Sequence, residues 1–134
     1  MVNVPAEIQA LRSSQDVVVV RQLVRQKTTE IGFSLIGQTK LITAASELAR
    51  NTVEHGHGGR VLIEPLQNGH RAGLRLVFED SGPGIPDIRQ ALTDGYTTGN
   101  GLGLGLGGSR RLVHEFEIES QPGQGTRVTV VAWK

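Results

Sequence analysis

Glu47 and Asn51 stand four residues apart in Glu47-Leu-Ala-Arg-Asn51, a spacing that makes their side chains neighbours on a helix. A carboxylate beside a carboxamide oxygen is a hard-ligand pair suited to Mg²⁺ and its waters. The glutamate can alternatively take a proton from an attacking hydroxyl. Taken alone, the pair reads more readily as two residues of a solvated helix face. Further on, Asp80-Ser-Gly82-Pro-Gly84 follows an alternating apolar stretch. Asp80 continues the face of Leu74, Leu76 and Phe78, so its carboxylate reaches the edge of the core and needs a hydrogen-bonding partner. An adenine amino group is one candidate; an Asx turn into the following loop is the other. Gly82 and Gly84 would let the backbone pass closely over a base. Thr126, at the start of the last strand, can share an adenine contact with Asp80 through water, or be an ordinary β-branched strand residue.

The third element is Gly95-Tyr-Thr-Thr-Gly99-Asn-Gly101-Leu-Gly103-Leu-Gly105-Leu-Gly107-Gly108, half of it glycine. Without Cβ atoms, backbone N–H groups can approach an anion closely. Helix-forming residues follow, so the run is expected to open a helix whose N-terminus suits phosphate. Gly103–Gly108 formally matches GxGxxG, but no strand directly precedes it, which argues against a Rossmann site. No GK[ST] follows, and no VAIK, HRD or DFG element is present, excluding a P-loop and the common protein-kinase fold. His55 and His57 form an HxH pair in a Gly-rich turn and read as a solvated loop.

The elements that must position these groups can be read from periodicity. Residues 6–12 suit an edge strand. Asp16 is expected to cap a helix ending near Gly32, with Val20, Val24 and Ile31 on one face. A second helix is expected over Leu35–Glu54, its apolar stripe formed by Leu41, Ile42, Ala45, Leu48, Ala49 and Val53. Lys40, Ser46, Glu47, Arg50 and Asn51 fall on the opposite side. Strands are expected over 60–66 and 72–80, joined by an Asn68-Gly69 turn. A short helix is expected over 86–92 and another over 109–114. Strands over 115–120 and 126–133 follow, separated by the Pro122-Gly123-Gln-Gly125 turn. Helices first and antiparallel strands mostly after them imply an α+β fold, a two-layer sandwich with helices on one face of a mostly antiparallel sheet.

The chain has 134 residues, 37% apolar and 20% charged, with a formal net charge of +1 and no cysteine. That size suits one domain, 1–134, with a single core. No basic stripe stands out, so no nucleic-acid partner is expected. Disulfides and thiolate metal sites are excluded. No purely apolar run is longer than that of Val17 to Val20, far too short to span a membrane, and no secretory signal is visible. A cytoplasmic protein is expected.

The combined set resembles the ATP site of the GHKL superfamily, which includes the gyrase, Hsp90 and histidine-kinase ATPase domains. Glu47…Asn51, Asp80-x-Gly82-x-Gly84, the glycine run and Gly125-Thr126 match, in order and spacing, its N box, G1 box, G2 box and terminal Gly-Thr. Over about residues 7–134 the chain resembles one branch, the RsbT-type serine/threonine switch kinases of bacterial partner-switching systems. The stretches that carry this are Ala44-Ala-Ser-Glu-Leu-Ala-Arg-Asn51, Asp80-Ser-Gly-Pro-Gly-Ile-Pro-Asp-Ile88 and Arg110-Arg-Leu-Val-His-Glu-Phe-Glu-Ile118.

The resemblance implies the Bergerat ATP-binding fold, with ATP and Mg²⁺ as cofactors. By it, Asn51 would ligate Mg²⁺ and Glu47 would activate the substrate hydroxyl. Asp80 and Thr126 would read adenine, with Gly82 and Gly84 beside it. Gly101, Leu102, Gly103, Leu104 and Gly105 would wrap the triphosphate beneath a short lid. The implied substrate is a Ser or Thr on a small STAS-domain protein, and the implied second partner a PPM-type phosphatase. An anti-sigma factor kinase shares the same ATP site, and a nucleotide-responsive binding module without transfer is the third reading. In one place the chain departs from the branch, having Gly107-Gly108-Ser109 where Pro-Gly is expected, which bears on the lid. Phosphoryl transfer also needs a cation for the transferred group; Arg50 and Arg110 are candidates by position.

Overall fold

The computed structural model describes residues 4–85, 87–92 and 105–134. In chain order its elements are β1 (Glu7–Leu11), α1 (Ser14–Ile31), α2 (Leu35–Glu54), β2 (Gly59–Asn68), β3 (Arg71–Asp80), α3 (Ile88–Ala91), α4 (Gly105–Arg111), β4 (Glu115–Ser120) and β5 (Thr126–Trp133). The strands form one sheet in the order β1-β2-β3-β5-β4. Every neighbouring pair is antiparallel. No described helix is long and apolar enough to cross a membrane.

Strand alternation decides which face is covered. Val61, Ile63, Leu74, Leu76, Phe78, Val128, Val130 and Ala132 are buried and share one core with Val20, Val24, Leu41, Ala45, Leu48 and Ala49 of the two long helices. The opposite face carries an in-register row, Arg60, Glu79 and Arg127. The two arginine Nε atoms lie 3.4 and 3.7 Å from the Glu79 carboxylate. Pairs this exposed contribute about 0–1 kcal/mol each; what they record is that this face meets water. The α+β two-layer architecture expected from the sequence is the one observed.

The valine run of α1 favours strand by propensity, yet forms helix, because Val17, Val20 and Val24 recur at helical spacing and are all buried. Asp16 is not the N-cap. Ser13 holds that position, and Asp16 sits in the first turn, where its carboxylate accepts the Arg12 backbone N–H at 2.8 Å. This bond draws the Asp16 carboxyl below the usual carboxylate range. Gly32 ends α1 at φ +100. The Gly32 and Phe33 N–H groups bond back to the Thr29 and Thr28 carbonyls at 3.1 and 2.9 Å, a Schellman closure that left-handed glycine makes easy. Lys27, which no periodic signal marks, is 1% exposed. Its ammonium donates to the Pro5 carbonyl at 2.9 Å and to Glu7 at 3.0 Å, tying β1 to α1.

Ser34 caps α2 by accepting the Gly37 N–H at 3.1 Å. The β2–β3 turn has Gly69 and His70 as its two linking residues. Only the first has positive φ, +62, the sign pattern of a type II′ hairpin. The helix expected over 109–114 instead starts at Gly105 and ends at Arg111. Gly107 and Gly108 therefore lie inside α4, and the buried Ser109 hydroxyl donates to the Gly105 carbonyl at 3.1 Å.

Candidate functional site

The C-terminal half of α2, the end of β3 and the start of β5 face one cavity of about 350 Å³. Phe78, Leu106 and Val128 give it apolar walls; Glu47, Asn51, Asp80 and Thr126 supply polar groups. These residues lie far apart in the chain. The antiparallel register brings Asp80 directly opposite Thr126, and α2 crosses the same sheet face.

At the strand end of the cavity, two side-chain oxygens have defined partners. Asp80 Oδ1 accepts the Gly82 N–H at 2.9 Å, and Oδ2 has no hydrogen bond among the described residues. Asp80 thus makes the local Asx bond and keeps an acceptor for a ligand in the same carboxylate. The Thr126 hydroxyl lies 2.9 Å from the Ser120 hydroxyl, which also bonds the Gly125 carbonyl at 2.9 Å. A hydroxyl has one proton. Ser120 gives it to Gly125, so Thr126 donates to Ser120 and its lone pairs remain as acceptors. Ser120 further accepts the Ile85 N–H at 2.8 Å, pinning the loop after Asp80 to the start of β5. Sequence reasoning missed Ser120, whose only signal was its place just before the Pro122–Gly125 turn.

The glycines around Asp80 are explained by close approach of protein to protein. A Cβ on Gly56 would stand 2.4 Å from Asp80 Cγ, one on Gly82 would stand 2.8 Å from the Gly56 backbone, and one on Gly125 would stand 2.2 Å from the Asp80 carbonyl oxygen. Gly84, at φ +79, has the Gln121 carbonyl oxygen 2.2 Å from where a Cβ would be. Gly84 lines the cavity, and Gly82 is not among its lining residues.

On the other wall, Glu47 is only 8% exposed, which corrects its placement on a solvated helix face; of that group only Lys40 is exposed. The tight approach of α4 covers it. Glu47 Oε1 accepts the Gly105 N–H at 3.2 Å, and Oε2 accepts from Arg50 at 3.1 Å. Glu47 therefore joins α2 to the last part of the glycine run. Gly101, Leu102, Gly103 and Leu104, the rest of that run before Gly105, and residue 86 lie outside the described residues.

Asn51, one turn beyond Glu47, lines the cavity, and its carboxamide has no hydrogen bond among the described residues. A free carboxamide oxygen beside carboxylates is a donor set that fits a hexacoordinate hard cation taking one or two protein ligands and completing its shell with phosphate and water. No group of three His, Cys, Asp or Glu able to hold a metal by itself exists among the described residues. His55 lines the cavity and His57 is exposed at φ +60. Of the two cation candidates, Arg50 is on the cavity wall and Arg110 is exposed on α4.

Comparison with known proteins agrees with this geometry. Residues 37–134 match the family described as "Histidine kinase-, DNA gyrase B-, and HSP90-like ATPase", which implies ATP as the nucleotide. The chain is 43% identical to the serine/threonine-protein kinase RsbT of Bacillus subtilis over 118 residues, covering 88% of this chain and 89% of RsbT. An anti-sigma F factor of Clostridium novyi is 32% identical over 95 residues, 67% of this chain and 66% of that protein. A crystal structure of RsbU and RsbW domains from Mycobacterium tuberculosis superposes with a TM-score of 0.67 at 21% identity, over 98% of this chain and 33% of that one. The chain thus spans a third of that structure, which shares its fold. With Asp80 and Thr126 paired across the sheet, Asn51 and Glu47 one turn apart, and 43% identity over most of its length, the chain belongs to the histidine kinase-, DNA gyrase B- and HSP90-like ATPase family, as an RsbT-type member.

Proposed function

We propose that this protein is a serine/threonine kinase of a bacterial partner-switching pathway, transferring the ATP γ-phosphate to a Ser or Thr of a STAS-domain protein. In this reading it acts in the cytoplasm and, once its substrate is phosphorylated, binds a PPM-type phosphatase. Asp80 and Thr126 hold adenine, Asn51 ligates Mg²⁺, and the segment ending in Gly105 surrounds the phosphates. Mg²⁺ when bound neutralises charge on the phosphates. Glu47 accepts the proton of the substrate hydroxyl as that oxygen attacks phosphorus, and the bond to ADP breaks with its electron pair leaving on ADP.

The observation that supports transfer over mere binding is Glu47. A nucleotide-binding module has no need of a buried carboxylate held beside Gly105 at the phosphate end of the cavity. The test is phosphotransfer from labelled ATP with Mg²⁺ to candidate STAS-domain proteins. Label on one such protein, lost in Glu47→Ala while ATP binding persists, is the expected result; nucleotide binding by wild type without any transfer rejects it.

The similarity to anti-sigma F factors favours one second reading, a kinase that also sequesters a sigma factor. The Arg110–Ile118 stretch argues for the switch kinase. Pull-down with a sigma factor against a STAS-domain protein separates the two.

A further inference from the structure

The cavity has an electrostatic problem. Its described lining carries the carboxyl groups of Glu47, Glu54, Asp80 and Asp87, and Arg50 is the one arginine or lysine among them. A polyphosphate entering such a site needs positive charge where its charge is greatest. Mg²⁺ meets part of that need, and a guanidinium, with planar paired donors, matches phosphoryl oxygens geometrically.

In this structure that guanidinium is engaged elsewhere. Arg50 donates to Glu47 Oε2 at 3.1 Å, while Gly105 N–H occupies Oε1. Both oxygens of the proposed base are therefore hydrogen-bonded. Arg50 has five donors, and its bond to Glu47 runs through one nitrogen, Nη1. Its side chain is 41% exposed, so it can turn without leaving a hole in the core. It also sits between Glu47 and Asn51 in the chain, next to where base and metal ligand meet the phosphates.

We propose that Arg50 is a catalytic residue that contacts the γ-phosphoryl group, and that its pairing with Glu47 is a resting position. The γ-phosphate draws the guanidinium away from Oε2, which then accepts the substrate hydroxyl proton. The hydroxyl oxygen–phosphorus bond forms as the bond to ADP breaks, and Arg50 stays on the transferred oxygens throughout. ADP lacks the group that moves Arg50, so the base stays occupied in the product state. This inference rests on the kinase reading and adds to it a device that exposes the base only to ATP.

The test measures ATP and ADP affinity by titration calorimetry in wild type, Arg50→Ala and Arg50→Lys, beside phosphotransfer. Wild type is expected to bind ATP more tightly than ADP. Arg50→Ala is expected to lose that preference with ADP affinity unchanged, and transfer to fall roughly 10²–10³-fold. Added guanidinium ion at subdenaturing concentration is expected to restore part of the transfer. Arg50→Lys, which keeps charge but loses the fork, is expected to fall between. An unchanged ATP-to-ADP ratio in Arg50→Ala overturns the inference, as does equal loss of both nucleotides, which would mean Arg50 merely shapes the pocket. Because binding is read separately, a wild type that discriminates ATP but transfers nothing overturns the kinase reading while leaving the phosphate contact standing.

Discussion

At the residue scale the two groups proposed to read adenine are each divided between the protein and a prospective ligand. Asp80 commits one oxygen to Gly82 N–H and keeps the other. Thr126 donates to Ser120 and keeps its lone pairs. Adenine offers an amino donor, so two acceptors side by side complement it. Asp80→Asn is expected to weaken ATP binding by about 1.5–3 kcal/mol, the range for a hydrogen bond to a charged group. Calorimetry on this variant and on Glu47→Ala checks the division of labour: equal loss of ATP binding in both contradicts it. Ser120→Ala leaves the Ile85 N–H and the Thr126 hydroxyl without their partner. We expect it to lower stability by about 1–3 kcal/mol and also to weaken ATP binding, because the Thr126 proton is then free to point at the base. An unaltered ATP Kd in this variant rejects the orienting role of Ser120.

At the scale of elements, the contacts between elements hold the site more than the elements themselves. The β3–β5 pairing sets Asp80 against Thr126, and Gly125 is obligatory there: at φ +83, with the Asp80 carbonyl oxygen 2.2 Å from where a Cβ would stand, any side chain would push the two strands apart. The β1–α1 joint depends on charge. Asp16 has its carboxyl lowered by the Arg12 N–H, so it binds its proton less readily folded than unfolded. The stability it contributes is present above the ordinary aspartate pKa of about 3.9 and is lost as pH falls through the lower folded value. Urea midpoints at neutral pH and near pH 3 should therefore differ more in wild type than in Asp16→Asn. Equal acid sensitivity of the two proteins would show that other groups govern this limb.

Over the whole molecule, one face of the sheet is covered by α1 and α2, and the cavity proposed for the nucleotide lies on that covered side, between α2 and the strand ends. A ligand held by α2, β3, β5 and α4 together binds only the folded chain. ATP at about a hundred times its Kd is expected to stabilise the protein by about 2.7 kcal/mol, a rise of several degrees in Tm. Thermal melting with ATP and with GTP checks both linkage and base choice. An equal shift with the two nucleotides would contradict adenine reading by Asp80 and Thr126.

Much of this was legible in the chain itself. The bounds of α2 follow from its apolar stripe, the edge position of β1 from its loose alternation, and the two strands around Asn68-Gly69 from period and turn chemistry. The motif set, through resemblance, pointed to the family. These are local signals: burial on one face imposes a period, and a turn imposes its residues. Tertiary contact decided the rest. Glu47 reads as solvent-facing from the helix period alone and is buried because α4, distant in sequence, covers it. Lys27 is buried because the segment around Pro5 and Glu7 folds back to receive its ammonium. Ser120 became part of the site, and Arg50 the partner of Glu47, through hydrogen bonds that have no periodic trace. A side chain's partners across the fold depend on how elements pack, and no single stretch of sequence contains that information.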